Sequence, residues 1–263
     1  MNKERKTWCV IGDSFTFIDN HLEETNYRIK EGYVTKTAKL LSFDVEIINL
    51  GINGATTSSF LNMDFPQADF YSIFLGANDW WSDMTPFGDF NDYINEKEGS
   101  TAGNMGLIIK AIRKVATTAP IFIASPVERG LFVYQFDYYN NAPDSTHEKL
   151  GKRISDYAKL YKKMEDPTKG IFYVDTHGLA GFTPENAVLF MRKTHGGKTE
   201  DLPFEVFHNE KFDPLDFDEY PYPLEAENMT YDGLHPSERG GQKIAEVFAQ
   251  KINSVFVNQK PEK

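Results

Sequence analysis

Short apolar runs alternate with longer amphipathic segments along most of the chain. The runs are rich in β-branched and aromatic residues, which predicts strands, and they cover residues 8–11, 45–50, 70–75, 121–125 and 171–175. They are apolar throughout rather than alternately polar, which is typical of strands in a sheet that is covered on both faces.

Between and after these runs, apolar residues recur three and four positions apart, which predicts helices. The four stripes are Tyr33, Thr37, Ala38 and Leu41; Met105, Ile108, Ile109, Ile112 and Val115; Leu150, Ile154, Tyr157, Ala158 and Tyr161; and Ile244, Phe248, Ile252 and Val255, the last behind Ser237 as N-cap. Strands that alternate with helices indicate βαβ units and a parallel sheet. The prediction is therefore a doubly wound α/β domain, a three-layer α/β/α sandwich with five strands.

Three long connections follow the third, fourth and fifth predicted strands, at about residues 80–103, 126–146 and 176–230. In a parallel sheet they all leave from the edge formed by the carboxyl ends of the strands, where ligands bind. Connections of this length are usually functional or disordered, and their many aromatic residues argue against disorder. We expect them to pack into a collar around the functional site.

Length and composition are those of a globular protein. The 263 residues, 40% hydrophobic and 25% charged, fit one domain spanning 1–263 with a loop insertion at about 176–230. A net charge of −11 argues against binding to nucleic acid or anionic membranes, which require a basic face. The single cysteine, Cys9, excludes an internal disulfide and is expected to be a packing residue. No signal peptide or membrane-spanning segment is evident, so a cytoplasmic location is expected.

A serine follows the first predicted strand, in the sequence Gly12-Asp13-Ser14, where glycine and aspartate favour a sharp turn. Near the other end, Asp232 and His235 stand three positions apart, just before the last predicted helix. A serine hydroxyl becomes a good nucleophile when a histidine removes its proton, and an aspartate fixes the tautomer of that histidine. Ser14, Asp232 and His235 are therefore candidate catalytic residues for acyl transfer.

Two further motifs follow the second and third predicted strands. Gly54 lies in Asn49-Leu50-Gly51-Ile52-Asn53-Gly54, and Asn78 lies in Phe74-Leu75-Gly76-Ala77-Asn78-Asp79. A tetrahedral intermediate requires hydrogen-bond donors for its oxyanion, usually backbone N–H groups and an amide side chain. Gly54 and Asn78 can supply such donors.

With these four motifs in order, the chain resembles the SGNH (GDSL) hydrolase family from about residue 10 to about residue 247. The resemblance implies a flavodoxin-like strand order, Ser14 as nucleophile and Asp232 and His235 as the rest of the triad. It also implies an oxyanion hole formed by Ser14, Gly54 and Asn78. Phe15 stands where the commonest family pattern has leucine, which keeps an apolar residue at that position.

Alternative interpretations of single motifs are weaker. The Gly12 to Ser14 segment lacks the glycine pattern of a phosphate-binding loop. The acidic residues Asp213, Asp216, Asp218 and Glu219 lack the spacing of an EF-hand and are expected to be solvated loop charges. No Cys/His pair has zinc-site spacing. We expect Asp79 to bond within its own turn and Asp13 to accept backbone N–H groups.

The predicted function is that of a serine esterase which removes a short acyl group, such as acetate, from a carbohydrate or similar polyol, without a metal or organic cofactor. The collar is aromatic and polar and contains no long aliphatic stripe, which suits a small-molecule or oligosaccharide ester. Trp80 and Trp81 are candidates to stack on a sugar, and Arg129 to orient a substrate carbonyl or carboxylate, or to pair with a loop acid. The alternatives are a lipase, lysophospholipase or thioesterase for longer acyl chains, and a non-catalytic carbohydrate-binding protein. The oligomeric state is left open.

Overall fold

The computed structural model describes residues 5–82, 85–134, 137–207 and 218–258. Its strands are β1 (Arg5–Gly12), β2 (Asp44–Gly51), β3 (Phe70–Phe74), β4 (Ile121–Ala124), β5 (Phe132–Tyr134), β6 (Asp137–Ala142), β7 (Ile171–Val174), β8 (Phe190–His195) and β9 (Lys198–Pro203). Its α-helices are α1 (Ser14–Phe17), α2 (Tyr33–Leu40), α3 (Ala77–Ser82), α4 (Phe90–Ile94), α5 (Thr101–Val115), α6 (Ile154–Lys163), α7 (Thr176–Leu179), α8 (Phe204–Phe207) and α9 (Glu238–Asn258).

Five strands form one parallel sheet in the order β2-β1-β3-β4-β7. These are the five predicted strands, and their order is the flavodoxin-like one that the family resemblance implied. The predicted doubly wound α/β fold is confirmed. β1 lies between β2 and β3. The residues that follow these three parallel strands are therefore neighbours at one edge of the sheet.

Successive residues of each strand point to opposite faces of the sheet, and both faces are covered. In β1, Trp8 and Val10 pack into a core with α2 and α9, whereas Cys9 and Ile11 pack into a second core with α5 and α6. All four side chains are fully buried. Cys9 is thus a packing residue, and burial raises the pKa of its thiol to about 12.

The helices follow most of the predicted stripes, although Leu41 lies just after α2 and Val115 is exposed at the end of α5. Ser237 caps α9, since its hydroxyl accepts the N–H of Gly240 at 3.2 Å, and the apolar stripe of α9 is buried. Leu150 was wrongly assigned to the helix that contains Ile154: the helix begins at Ile154, and Leu150 is exposed in a left-handed backbone conformation.

The long connections contain secondary structure of their own. The second contains the β5–β6 hairpin, and the third contains the β8–β9 hairpin and α8. Val133 of the second packs with Leu189, Met191 and Phe207 of the third in a small apolar cluster. None of the helices in the described ranges has the length and hydrophobicity that crossing a membrane requires.

Candidate active site

Ser14 is placed by the sharp turn at the end of β1. Asp13 caps the short helix α1, because its Oδ1 accepts the backbone N–H of Phe15 at 3.1 Å and its carbonyl accepts that of Phe17 at 2.9 Å. The expectation that Asp13 accepts backbone N–H groups is confirmed. Burial raises the pKa of the Asp13 carboxyl to about 7. Ser14, at the first position of α1, is only 5% exposed.

The structure brings the three residues Ser14, His235 and Asp232 together across 221 positions of sequence. His235 Nε2 lies 2.9 Å from Ser14 Oγ, and His235 Nδ1 lies 2.6 Å from Asp232 Oδ2. Because an ionised carboxylate can only accept, the imidazole carries its proton on Nδ1, and Nε2 is left to accept the Ser14 hydroxyl. This is the arrangement in which a histidine can act as a general base on a serine.

The electrostatics of the imidazole depend mainly on two opposing effects. Burial by itself disfavours the imidazolium, whereas the charge of Asp232 and its hydrogen bond favour it. The second effect prevails, so the pKa of His235 is raised above its usual value. Asp13 adds to the increase and Arg129 opposes it.

The turn that carries Asp232 and His235 is held by backbone bonds from two of the long connections. Gly130 N–H donates to the carbonyl of Gly233 at 3.0 Å, and Val133 N–H donates to that of Asp232 at 3.1 Å. On its other side, Leu189 forms an antiparallel bridge with Asp232. Gly233 has φ +94°, and a Cβ there would lie 1.9 Å from the carbonyl oxygen of Leu131, so this position requires glycine. The connections therefore help to position Asp232 and His235.

Three aromatic rings pack around the imidazole of His235. Tyr231 is stacked on it at 5.8 Å between ring centroids, while Phe15 and Phe132 contact it at 5.9 and 6.0 Å. Such packing restricts the rotation of the imidazole and keeps it aligned between Ser14 and Asp232. None of these three roles was foreseen from the sequence, because aromatic residues at these positions carry no motif.

The two candidate oxyanion residues lie in turns that are bonded to the nucleophile turn and to each other. Ile52 N–H donates to the carbonyl of Gly12 at 3.1 Å, which joins the turn after β2 to the residue before Asp13. Gly54 follows in the left-handed region with φ +71°. The Asn78 amide donates to the carbonyl of Ala55 at 3.0 Å, and an amide nitrogen has a second N–H that can point to a substrate oxyanion.

Asp79 is buried; its carboxylate bonds its own backbone N–H, as expected, and also reaches across to neighbouring segments. It accepts the Thr57 backbone N–H at 3.0 and 3.1 Å, the Thr57 hydroxyl at 2.5 Å and the Thr101 hydroxyl at 3.3 Å. Burial raises the pKa of the Asp79 carboxyl, and these bonds oppose the increase. Asp79 therefore links the turn after β2 to the start of α5. No motif in the sequence identified Thr57 as the partner of Asp79.

The two tryptophans after β3 occupy different environments. Trp80 is 1% exposed, and its indole N–H donates to the carbonyl of Lys152 at 3.0 Å, so it offers no ring face to a substrate. The expectation that Trp80 stacks on a sugar is therefore not supported by its position. Trp81 is half-buried, with the guanidinium carbon of Arg129 and Nζ of Lys149 at 5.8 and 4.8 Å from its ring centroid.

Arg129 is 2% exposed, and its charge acts on the imidazole of His235. Arg129 lines a small cavity together with Asp13, Phe15 and Leu234. Asp13 and Phe15 flank Ser14 in the sequence, and Leu234 precedes His235. Arg129 forms no ion pair among the described residues, so the expected alternative of pairing with a loop acid is not observed. Burial lowers the pKa of its guanidinium to about 10.

The acidic stretch after residue 212 is only partly described. Asp213 and Asp216 lie outside the described residues. Asp218 was wrongly expected to be solvated: its side chain is buried and pairs with Arg28 at 3.4 Å and with the hydroxyl of Tyr222. Within the described ranges, no three His, Cys, Asp or Glu side chains gather closely enough to hold a metal ion.

The chain resembles known proteins in both sequence and structure. Residues 10–243 match the model of the GDSL-like lipase/acylhydrolase family. The structure of a possible lipase from Chitinophaga pinensis DSM 2588 is 34% identical in sequence, with a TM-score of 0.77, and the match covers 96% of this chain and 99% of that one. No curated protein matches the sequence.

Two more distant structures share the fold. One is a catalytic mutant of an acetylxylan esterase from Geobacillus stearothermophilus, at 16% identity and a TM-score of 0.51, with 96% of each chain covered. The other is a family 3 carbohydrate esterase from Clostridium thermocellum, at 14% identity and a TM-score of 0.51, with 98% of this chain and 100% of that one covered.

Proposed function

The chain belongs to the GDSL-like lipase/acylhydrolase family and is an ester hydrolase, and from that premise we propose that it is a serine esterase acting on a short acyl ester, in particular an acetyl ester, of a carbohydrate or similar polyol. The observation that carries the proposal is the hydrogen-bonded series Ser14–His235–Asp232, with both distances below 3.0 Å.

In the first half of the reaction, Ser14 attacks the ester carbonyl while His235 Nε2 takes the proton from its hydroxyl. Asp232 stabilises the imidazolium that forms and keeps the ring in the required orientation. The backbone N–H groups of Ser14 and Gly54 and the amide of Asn78 stabilise the oxyanion. Such donors act on charge that develops only in the transition state, so each is worth about 3–4 kcal/mol of activation free energy.

In the second half, His235 gives its proton to the leaving alcohol, and the acyl group remains bonded to Ser14. Water then enters, loses a proton to His235 and attacks the acyl-enzyme carbonyl. Collapse of the second tetrahedral intermediate releases the carboxylic acid and returns the proton to Ser14. Every proton transfer in this cycle uses groups of this chain, the substrate or water.

A polar hollow on the loops next to the site supports a polyol as the alcohol. It lies between the second connection, the start of α6 and the third connection, and Glu128, Ser145, Thr146, Arg153, Ser155, Thr183, Pro184 and Glu185 line it. Hydroxyl, carboxylate and guanidinium groups are the partners that sugar hydroxyls bond in proteins. Glu128 and Ser145 connect the hollow to Arg129, since Ser145 bonds both backbone groups of Arg129.

The acetylxylan esterase and the family 3 carbohydrate esterase described above share this fold. The proposal is therefore consistent with the functions that this architecture supports in other proteins. The runner-up function is that of a lipase, lysophospholipase or thioesterase for longer acyl chains. The small number of aliphatic residues in the long connections counts against it, because a long acyl chain requires a continuous apolar channel.

Hydrolysis of p-nitrophenyl esters from acetate to octanoate, followed by acetylated saccharides, tests the proposal. We expect kcat/KM to be highest for acetate and to decrease with chain length. An increase towards octanoate would establish the lipase or thioesterase alternative. Absence of both turnover and labelling of Ser14 by a fluorophosphonate would indicate the non-catalytic carbohydrate-binding protein.

A further inference from the structure

The buried guanidinium of Arg129 is incompletely hydrogen-bonded within the part of the chain that the structure describes. Its Nε and Nη2 are fully buried and lack a hydrogen-bond partner among the described residues. A buried guanidinium is stable only when its donors and its charge are compensated, and leaving them unpaired costs several kcal/mol. Within the described ranges, the chain therefore leaves two donors of Arg129 available to a partner from outside.

The carboxylates nearest to Arg129 are already engaged by other donors. Asp232 accepts His235 Nδ1 on one oxygen and the N–H groups of Leu234 and His235 on the other. Asp144 accepts the backbone N–H of Thr146 at 2.9 Å and faces His147 at 3.1 Å. Both act on Arg129 through their charge, but neither bonds it.

The surroundings hold the guanidinium in place while leaving its N–H groups unsatisfied. Its central carbon lies 5.8 Å from the ring centroid of Trp81 and 5.7 Å from that of Phe132, which restrains it through cation–π contacts. Phe132 in turn contacts His235. An aromatic ring stabilises the charge but accepts no strong hydrogen bond, so the two rings fix the position of the guanidinium without replacing its partner.

The cavity that Arg129 lines lies next to the candidate catalytic residues, since the sequence neighbours of Ser14 and His235 help to line it. Its other walls are formed by residues of the nucleophile turn, of the ends of β3 and β4 and of the catalytic loop: Asp13, Phe15, Phe74, Leu75, Ala77, Pro126, Val127 and Leu234. Most of these side chains are apolar, and the cavity admits about one water-sized group. Asp13 is the other charged group, and it already accepts the N–H of Phe15. Of the residues that line this cavity, Arg129 is the one with a cationic side chain.

We propose that Arg129 binds a carboxylate carried by the ester substrate, so that the natural substrate is an anionic ester. This rests on the proposed esterase function and specifies its substrate class. A guanidinium binds a carboxylate through charge-assisted N–H···O bonds, and the two unpaired nitrogens can both donate to the one carboxylate oxygen that the cavity admits. In a chain of net charge −11, which repels anions at long range, a buried cation at the site supplies the local attraction such a substrate requires.

The carboxylate can belong to the alcohol half of the ester, as in an acetylated uronic acid, or to the acyl half, as in a dicarboxylic acid monoester. Two matched pairs of substrates separate these sources. For the alcohol half, 4-acetoxybenzoate is compared with the neutral 4-acetoxybenzamide. For the acyl half, phenyl hydrogen glutarate is compared with the neutral phenyl glutaramate, with the uncatalysed rates subtracted.

The measured quantity is the ratio of kcat/KM between the charged and the neutral member of each pair. A charge-assisted hydrogen bond between Arg129 and the carboxylate predicts a ratio of roughly 10 to 100 in one of the pairs. We expect Arg129→Met to remove most of this preference and Arg129→Lys to keep part of it, because lysine retains the charge but not the fork. Lys110→Met, which removes one exposed positive charge from α5, should leave the ratio unchanged.

Ratios at or below 1 in both pairs, or a preference that persists in Arg129→Met, would overturn the proposal. Phenyl acetate reports esterase activity separately: if wild-type protein fails to hydrolyse it, the proposed function fails first. Should the Arg129 variants not fold, calorimetry with Ser14→Ala gives the same answer. The Ser14→Ala protein should bind the charged member of one pair at least about tenfold more tightly than the neutral member. Equal binding of the two members would contradict the inference.

Discussion

Asp79 accepts three hydrogen bonds from Thr57, two through the backbone N–H and one through the hydroxyl, across 22 residues of sequence. This buried carboxylate links the residue after the candidate oxyanion donor Asn78 to the turn that follows Gly54. The turns after β2 and β3 carry the candidate oxyanion donors Gly54 and Asn78, and this contact holds the two turns together.

Asp79→Ala should therefore lower both stability and turnover. Removal of the carboxylate leaves the buried N–H and hydroxyl of Thr57 unsatisfied, at a cost of about 1–3 kcal/mol in the free energy of unfolding. Urea denaturation measures this loss, and kcat on p-nitrophenyl acetate should fall as well. Asp69→Ala is a matched control, because Asp69 also accepts a backbone N–H, from Thr7, but is exposed. Equal effects of the two substitutions would mean that Asp79 does not order the turns.

Ser14→Ala should abolish esterase activity and preserve the fold. The loss in kcat should be at least about 10⁴-fold, because the remaining groups can bind the ester but not form the acyl-enzyme. Labelling by a fluorophosphonate should disappear with the activity. Ser254→Ala, at an exposed position of α9, should retain both. Near-normal turnover by Ser14→Ala would show that Ser14 is not the nucleophile.

Asn78→Ala should lower kcat by roughly 10²–10³-fold and change KM much less, since the amide bonds the oxyanion more strongly than the ground-state carbonyl. Steady-state kinetics on p-nitrophenyl acetate separate the two constants. Asn53→Ala is the control, because Asn53 is an exposed neighbour of Gly54 whose amide bonds Glu24. A higher KM with unchanged kcat would assign Asn78 to substrate binding instead.

The pH dependence of kcat/KM should reflect the raised pKa of His235. Only the neutral imidazole can accept the Ser14 proton, so activity should increase with pH through a midpoint above the ordinary value of about 6.5. The carboxyl of Asp13 has a pKa of about 7 and therefore titrates in the same range. The negative charge of ionised Asp13 raises the pKa of His235. Asp13→Asn should therefore move the midpoint to lower pH. A wild-type midpoint below 6 would contradict the influence of Asp232.

Trp80→Ala should mainly lower the stability of the fold, whereas Trp81→Ala should mainly lower kcat/KM. Loss of the buried Trp80 leaves a cavity in the core and should cost about 3–5 kcal/mol of stability, measured by denaturant unfolding. Loss of Trp81 removes one of the two rings that restrain Arg129, so kcat/KM should fall more on acetylated saccharides than on p-nitrophenyl acetate. Equal losses on both substrates would remove Trp81 from substrate binding.

The alternation of apolar runs and amphipathic stripes determined the fold class, because covering both faces of a parallel sheet imposes that pattern. The five strands, the N-cap at Ser237 and the buried stripe of α9 followed from local physics alone. The positions of Ser14, Gly54 and Asn78 after successive strands also predicted that they share one edge of the sheet. Each inference depends on periodicity or turn chemistry, which a sequence displays directly.

The tertiary structure decided which side chains complete the site and which only support it. Trp80 and Trp81 are adjacent in sequence and chemically identical, yet one is buried and the other lies beside Arg129. The bond from Asp79 to Thr57 and the unpaired guanidinium of Arg129 likewise depend on how the long connections pack against the sheet. Such contacts join residues distant in sequence, so no local pattern encodes them, and only the packed chain fixes which polar groups find partners.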